Sequence, residues 1–137
     1  MTIDEVIDHV RNRSYMSGVE RDRARIQKTQ EVFTPTDKVI NLLDEYEQQF
    51  KDPDQKFLDN SCGDGQFLSE VVTRKMERSG CTLEQALSTT YGVEFMEDNV
   101  IECRKRLAGP DPSPEILEIV RKNIVHHDAL TYDYSFL

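Results

Sequence analysis

A chain of 137 residues suits one compact domain, and 37% hydrophobic content allows it a modest core. A net charge of −9 excludes bulk attraction to nucleic acid, so any DNA-binding role needs a local basic patch or a partner chain. No apolar run reaches the ~18 residues of a membrane span, no signal-peptide core opens the chain, and Cys62, Cys81 and Cys103 form no CxxC; a cytoplasmic, reducing setting without disulfides, zinc or membrane contact is expected.

Residues 2–13 carry Ile3, Val6, Ile7 and Val10 at helical spacing, with acids early and arginine late, which predicts a short amphipathic helix. Residues 20–30 are dense in charge. Arg21, Arg23, Arg25 and Lys28 are diluted by Glu20 and Asp22, so a solvated helix is expected there rather than a phosphate-binding arm. Thr34 and Pro35 read as the N-cap and first turn of a helix whose apolar face is Val39, Ile40, Leu42, Leu43 and Tyr46. Asp52-Pro53-Asp54 marks a turn before a first strand at 56–60.

Residues 57–68 form the centre of interest: a short apolar strand, a tight glycine-containing turn and a helix start. Such a turn is a usual small-molecule site in an open α/β sheet. This one is acidic, with Asp59 and Asp64 and no Lys or Arg, the reverse of a phosphate cradle. A cationic ligand, an ammonium or a sulfonium, fits it better. Helices at 65–78 and 82–88 precede a second strand at 89–94. A helix at 96–107 follows, with Val100, Ile101, Cys103 and Leu107 inward and Arg104, Lys105 and Arg106 outward. Ser113 caps a further helix opened by Pro114, and 123–127 reads as a third strand before an aromatic tail.

Alternating strands and helices imply βαβ units and a parallel sheet, with function at the carboxyl ends of the strands. Those ends hold Asp59, Glu94 and Asp128. One acid per strand tip is the pattern for a nucleoside-type ligand lying across the tips, Glu94 taking ribose hydroxyls and Asp128 an exocyclic amine; three helix N-caps is the plainer alternative. His126 and His127 face opposite sides of a strand, so no metal is expected. Cys62 reads as a small turn residue rather than a nucleophile, and Tyr132 and Tyr134 as packing groups.

Phe33-Thr34-Pro35, the string from Asp59 to Leu68, Tyr91-Gly92-Val93-Glu94 and His127-Asp128-Ala129-Leu130 resemble, in order and spacing, four motifs of the adenine-N6 DNA methyltransferases of restriction-modification systems. The resemblance covers about residues 29–137. It implies an α/β, Rossmann-like three-layer sandwich with a short, mostly parallel sheet at 31–137, a truncated class I methyltransferase fold, preceded by an N-terminal helical extension at 1–30. It also implies S-adenosylmethionine as cofactor. Phe33 and Thr34 would lie beside it, and Asp59, Ser61 and the turn Cys62, Gly63, Gly65 would hold its methionine moiety. Glu94 would take the ribose hydroxyls, Asp128 the adenine amine, and Ala129 would back the ring. Asn60 stands where the family usually has proline.

A larger departure concerns the base. The family holds its target amine and flipped base with a polar-Pro-Pro-aromatic motif after a fourth strand, and no two prolines adjoin here. Two functions remain open: a DNA methyltransferase or its cofactor-binding subunit, or a catalytically silent cofactor-binding module acting as sensor, scaffold or anti-restriction protein. Without a fourth strand the edge at Phe57 and Leu58 is open, so a homo- or hetero-oligomer through that edge is expected, with DNA reached through a partner chain. The tail at 132–136 is the alternative cover for it.

Overall fold

A computed structural model of the chain describes residues 2–11 and 36–137. Phe33, Thr34, Pro35 and the charged stretch 20–30 therefore lie outside the described residues. Helix α1 (Ile3–Arg11) buries Ile7 and Val10. Thr2 caps it reciprocally: its hydroxyl accepts from Glu5 N at 3.2 Å, and its own N–H donates to the Glu5 carboxylate at 3.0 Å. Next come α2 (Thr36–Asp44), a single 3-10 turn (Gln49–Lys51), β1 (Phe57–Asp59) and α3 (Gln66–Ser79). Then follow α4 (Leu83–Ser88), β2 (Thr90–Glu94), α5 (Glu97–Leu107), α6 (Pro114–Asn123) and β3 (Ile124–His126). Thr82 and Gln85 form a second capping box at α4, and Ser113 caps α6 ahead of Pro114, as the residue types lead one to expect.

The three strands pair in parallel in the order β1-β2-β3. Phe57 lies opposite Thr90 and Asp59 opposite Gly92, while Gly92 lies opposite Ile124 and Glu94 opposite His126. This register brings the carboxyl ends of all three strands to one rim of the sheet. Every described α-helix feeds one of two apolar clusters. The larger joins α1, α3, α4, α5 and α6 to Cys62 and Ile124; the smaller joins Val39, Leu43, Phe50 and Val71, with Phe57 and Phe67 against them. Register and alternation put Phe57, Gly92 and Ile124 on the same face, so both clusters lie there. Among the described residues the expected three layers are therefore two, one of helices and one of sheet.

The other sheet face carries Leu58, Tyr91, Val93 and Val125 by alternation. The tail folds back onto it. The Phe136 ring lies 4.7 Å from the Tyr91 ring, and Lys56 Nζ donates to Phe136 O at 2.9 Å. The tail thus covers part of a face, and the outer edge of β1, which it was a candidate to cover, stays without a strand among the described residues.

Two corrections concern α5. Ile101, read as inward, is 53% exposed. Arg106, read as outward, is fully buried and donates from Nε to Val10 O at 3.0 Å. Val10 O is one of the last carbonyls of α1, which have no partner within their own helix, so Arg106 closes that helix from a neighbouring one. Arg11 makes the complementary tie, donating to Glu70 and Glu77 of α3 at 2.9 and 2.7 Å.

Lys75 is fully buried on α3, its ammonium directed at Gln55 O and the Thr89 hydroxyl and 5.4 Å from the Phe57 ring. Burial lowers its pKa to about 8, against the opposite pull of Asp52 and Asp54. Between about 8 and the ordinary 10.5 the unfolded chain holds this proton and the folded chain does not. Unfolding then takes up a proton, and stability rises with pH across that window, by at most about 3 kcal/mol at 1.36 kcal/mol per unit. Urea denaturation at pH 7.5 and 9.5 is expected to show that rise in the native chain and a flattened one in Lys75→Met. An equal rise in both would assign it to other groups.

Candidate functional site: the carboxylate rim at the strand tips

Between β1 and α3 the chain must reverse within a few residues while staying against β2. Cys62 N donates to Val93 O at 3.1 Å, which ties the turn to the central strand. Gly65 N donates back to Cys62 O at 3.0 Å and so closes the turn. Gly65 has φ +101°, in the left-handed region, and a Cβ on it would stand 3.1 Å from Cys103 Sγ. Both conformation and space demand glycine there.

Asp59, at the end of β1, accepts on Oδ1 from Ser61 N at 3.0 Å. Glu94, at the end of β2, is 8% exposed and reaches across to the turn, where Oε1 accepts from Gly63 N at 3.2 Å. Its Oε2 accepts from Met96 N at 2.7 Å and Asn99 Nδ2 at 3.4 Å. Asp59, Ser61, Cys62, Gly63, Gly65 and Glu94 are thereby brought into one connected set. The turn leads into the N-terminal end of α3, where backbone N–H groups ordinarily favour an anion. Here the Glu94 carboxylate already takes the Gly63 N–H, two residues before the N-cap Gly65, which disfavours a phosphate at the turn.

Burial pushes the Asp59 carboxyl up, and the nearby charge of Glu94 adds to the shift, against the Ser61 N–H bond. A carboxyl raised in this way is one that a cation beside it would favour in its charged form. Lone-pair accounting limits Glu94. A carboxylate has about four acceptor sites. Oε2 uses two and Oε1 one, so Oε1 can take one further donor as it stands. Accepting both hydroxyls of a ribose requires one of the protein's own N–H groups to give way.

Cys62 is no nucleophile. Its thiol is buried and donates to Gly63 O at 3.8 Å; the neighbouring Cys103 thiol, then burial, then the charges of Asp59 and Glu94 all push it up and keep it protonated. Asp128 and Ala129 stand at the third strand tip, joined to the set through the backbone bond of His127 N to Glu94 O at 3.0 Å. The Asp128 side chain is exposed and accepts from Leu130 N at 2.9 Å, so it shapes its own loop; Ala129 O accepts from the Tyr134 hydroxyl at 2.7 Å. Among the described residues no three metal-ligating side chains come together.

Three participants escape a reading of acids and turns. Met96 and Asn99 hold Glu94 from the first turn of α5, and Gly92 lets the turn approach the sheet. Only Gly92 has a sequence signal, a glycine inside a strand, which marks close approach. No family model, no curated protein and no solved structure matches this chain.

Proposed function

We propose that the chain binds S-adenosylmethionine at the strand-tip rim and serves as an adenine-N6 DNA methyltransferase or as the cofactor-binding subunit of one, a truncated class I methyltransferase fold working in the cytoplasm. The observation that carries this reading is the connected set of Asp59, the 62–65 turn and Glu94, acidic and without a basic residue. Asp59 with the turn would hold the methionine ammonium, and Oε1 of Glu94 offers an acceptor to a ribose hydroxyl. The cofactor supplies a methyl group on a sulfonium, a good leaving group, so the protein's task is mainly to position the two reactants. Asp128 and Ala129 would serve the adenine ring, and Phe33 and Thr34 the carboxylate end.

A second reading, the catalytically silent module, is favoured by one observation: no two prolines adjoin in these 137 residues, so the group that grips the target base must come from another segment or partner. Calorimetry with S-adenosylmethionine is expected to show saturable binding. Glu94→Gln, which keeps one acceptor oxygen and loses the charge, should weaken it about tenfold, the low end of what a charge-assisted hydrogen bond contributes. No binding by the native chain would overturn the assignment. Methyl transfer to adenine in DNA, with or without a partner, separates the enzyme from the silent module.

A further inference from the structure

The groove beside β1 is a second site, and we infer that it takes an extended strand from another protein, apolar at alternate positions and flanked by Lys or Arg. The pairing of β1 is one-sided: its only strand neighbour among the described residues is β2. Phe57 N donates to Thr89 O at 2.9 Å, so alternation along a parallel ladder turns the Leu58 N–H and C=O outward. They open into a groove of about 570 Å³ between β1 and α2, walled by Leu42, Leu43, Tyr46, Phe57, Leu58 and Phe67. Helix α2 buries Val39 and Leu43 yet leaves Leu42 48% exposed, and Tyr46, just past its end, is 46% exposed; both stand on the groove wall. An apolar wall beside a strand edge left unpaired by the described residues is the arrangement that binds by strand addition: backbone bonds supply affinity and alternate side chains fill the groove.

Charge selects the occupant. The lining holds Asp59 and one basic residue, Lys56, whose ammonium is taken by Phe136 O; exposed Glu45 and Asp54 adjoin the lining in sequence, and the chain carries −9 overall. Two copies meeting edge to edge would bring these acids together, whereas a strand with basic flanks meets them favourably. The tail reaches only the groove's margin, through the Lys56 bond to Phe136 O, while the Phe136 ring lies against Tyr91.

The groove meets the rim at Asp59, but the inference does not rest on the cofactor reading and is tested without cofactor. The probe is a labelled eight-residue peptide with alternating valine and threonine between paired lysines, followed by fluorescence anisotropy. Saturable binding is expected, with the Leu58 amide gaining protection from hydrogen exchange. Glutamates in place of the lysines, or a proline at the centre, should each weaken binding at least tenfold. Leu42→Lys, at an exposed position that leaves the core intact, should do the same. Three results would overturn the inference: no saturable binding of the lysine peptide, equal affinity for the glutamate or proline peptide, or a chain that sediments as a dimer with Leu58 already protected.

Discussion

Asp59→Asn is expected to abolish most S-adenosylmethionine binding while leaving the chain at least as stable as the native protein. The two effects share one cause. Burial raises the Asp59 carboxyl above its ordinary 3.8, and Glu94 reinforces it. A carboxyl raised on folding gives stability that is present in full below 3.8 and lost as pH climbs through the raised value. Once ionised, the Asp59 carboxylate is a half-buried negative charge that opposes the native fold. Asn removes the charge and keeps the side-chain oxygen that accepts from Ser61 N. Thermal unfolding at pH 7 should shift upward or stay level. Cofactor binding should move the other way, because the charge that burdens the empty site is what a cationic ligand would neutralise. Losing a charge-assisted contact in a buried site corresponds to roughly a hundredfold in affinity. In the native chain, binding within the window above 3.8 should release a proton, seen as a calorimetric enthalpy that depends on the buffer. If Asp59→Asn binds like the native chain, Asp59 is a structural acid and the rim has another ligand.

Much of the frame is legible in the sequence because it depends on local chemistry. Thr82 and Ser113 stand three residues before Gln85 and Ile116, whose N–H groups need an acceptor, and the helices start where those pairs predict. The acids at the strand tips are legible for a similar reason: a parallel sheet places one rim at the ends of successive strands whatever surrounds it. Arg106 and Lys75 are illegible because their partners are far along the chain. The outer-face reading of Arg106 follows from its charge, and Lys75, though in line with Leu68, Val71 and Val72, carries a charge that argues against burial; only the packed structure shows a carbonyl of α1 or of the loop before β1 within reach. The engagement of Glu94 by Gly63 is hidden in the same way, since a turn's backbone N–H has no sequence signature. The lack of a third layer among the described residues is a tertiary matter too. The second face of the sheet is as apolar as a covered one, and nothing in its residues states that, among the described residues, the tail is what lies against it.

Gly92→Ala is expected to cost about 1–3 kcal/mol of stability, the range for forcing an added methyl into a filled core, and to loosen the rim at the same time. Gly92 sits mid-strand between Asp59 and Ile124. A Cβ there would stand 2.7 Å from Leu68 Cδ1, 2.9 Å from Cys62 Sγ and 3.2 Å from Cys62 Cβ. Both neighbours are packed in the core, Leu68 1% and Cys62 3% exposed, so neither yields without displacing others. The new methyl must lift the turn and the start of α3 off the sheet. That movement strains the Cys62 N to Val93 O bond and the Gly63 N to Glu94 bond, which join the turn to β2. Stability and cofactor affinity should therefore fall together, unlike the opposed effects at Asp59. Cys62→Ala removes the sulfur that the new methyl meets. The double variant should recover part of the loss, with denaturation free energies that fail to add by about 1 kcal/mol, as for residues in contact. If the two losses simply add, the turn does not rest on β2 at Gly92, and the glycine is there for the strand rather than for the site.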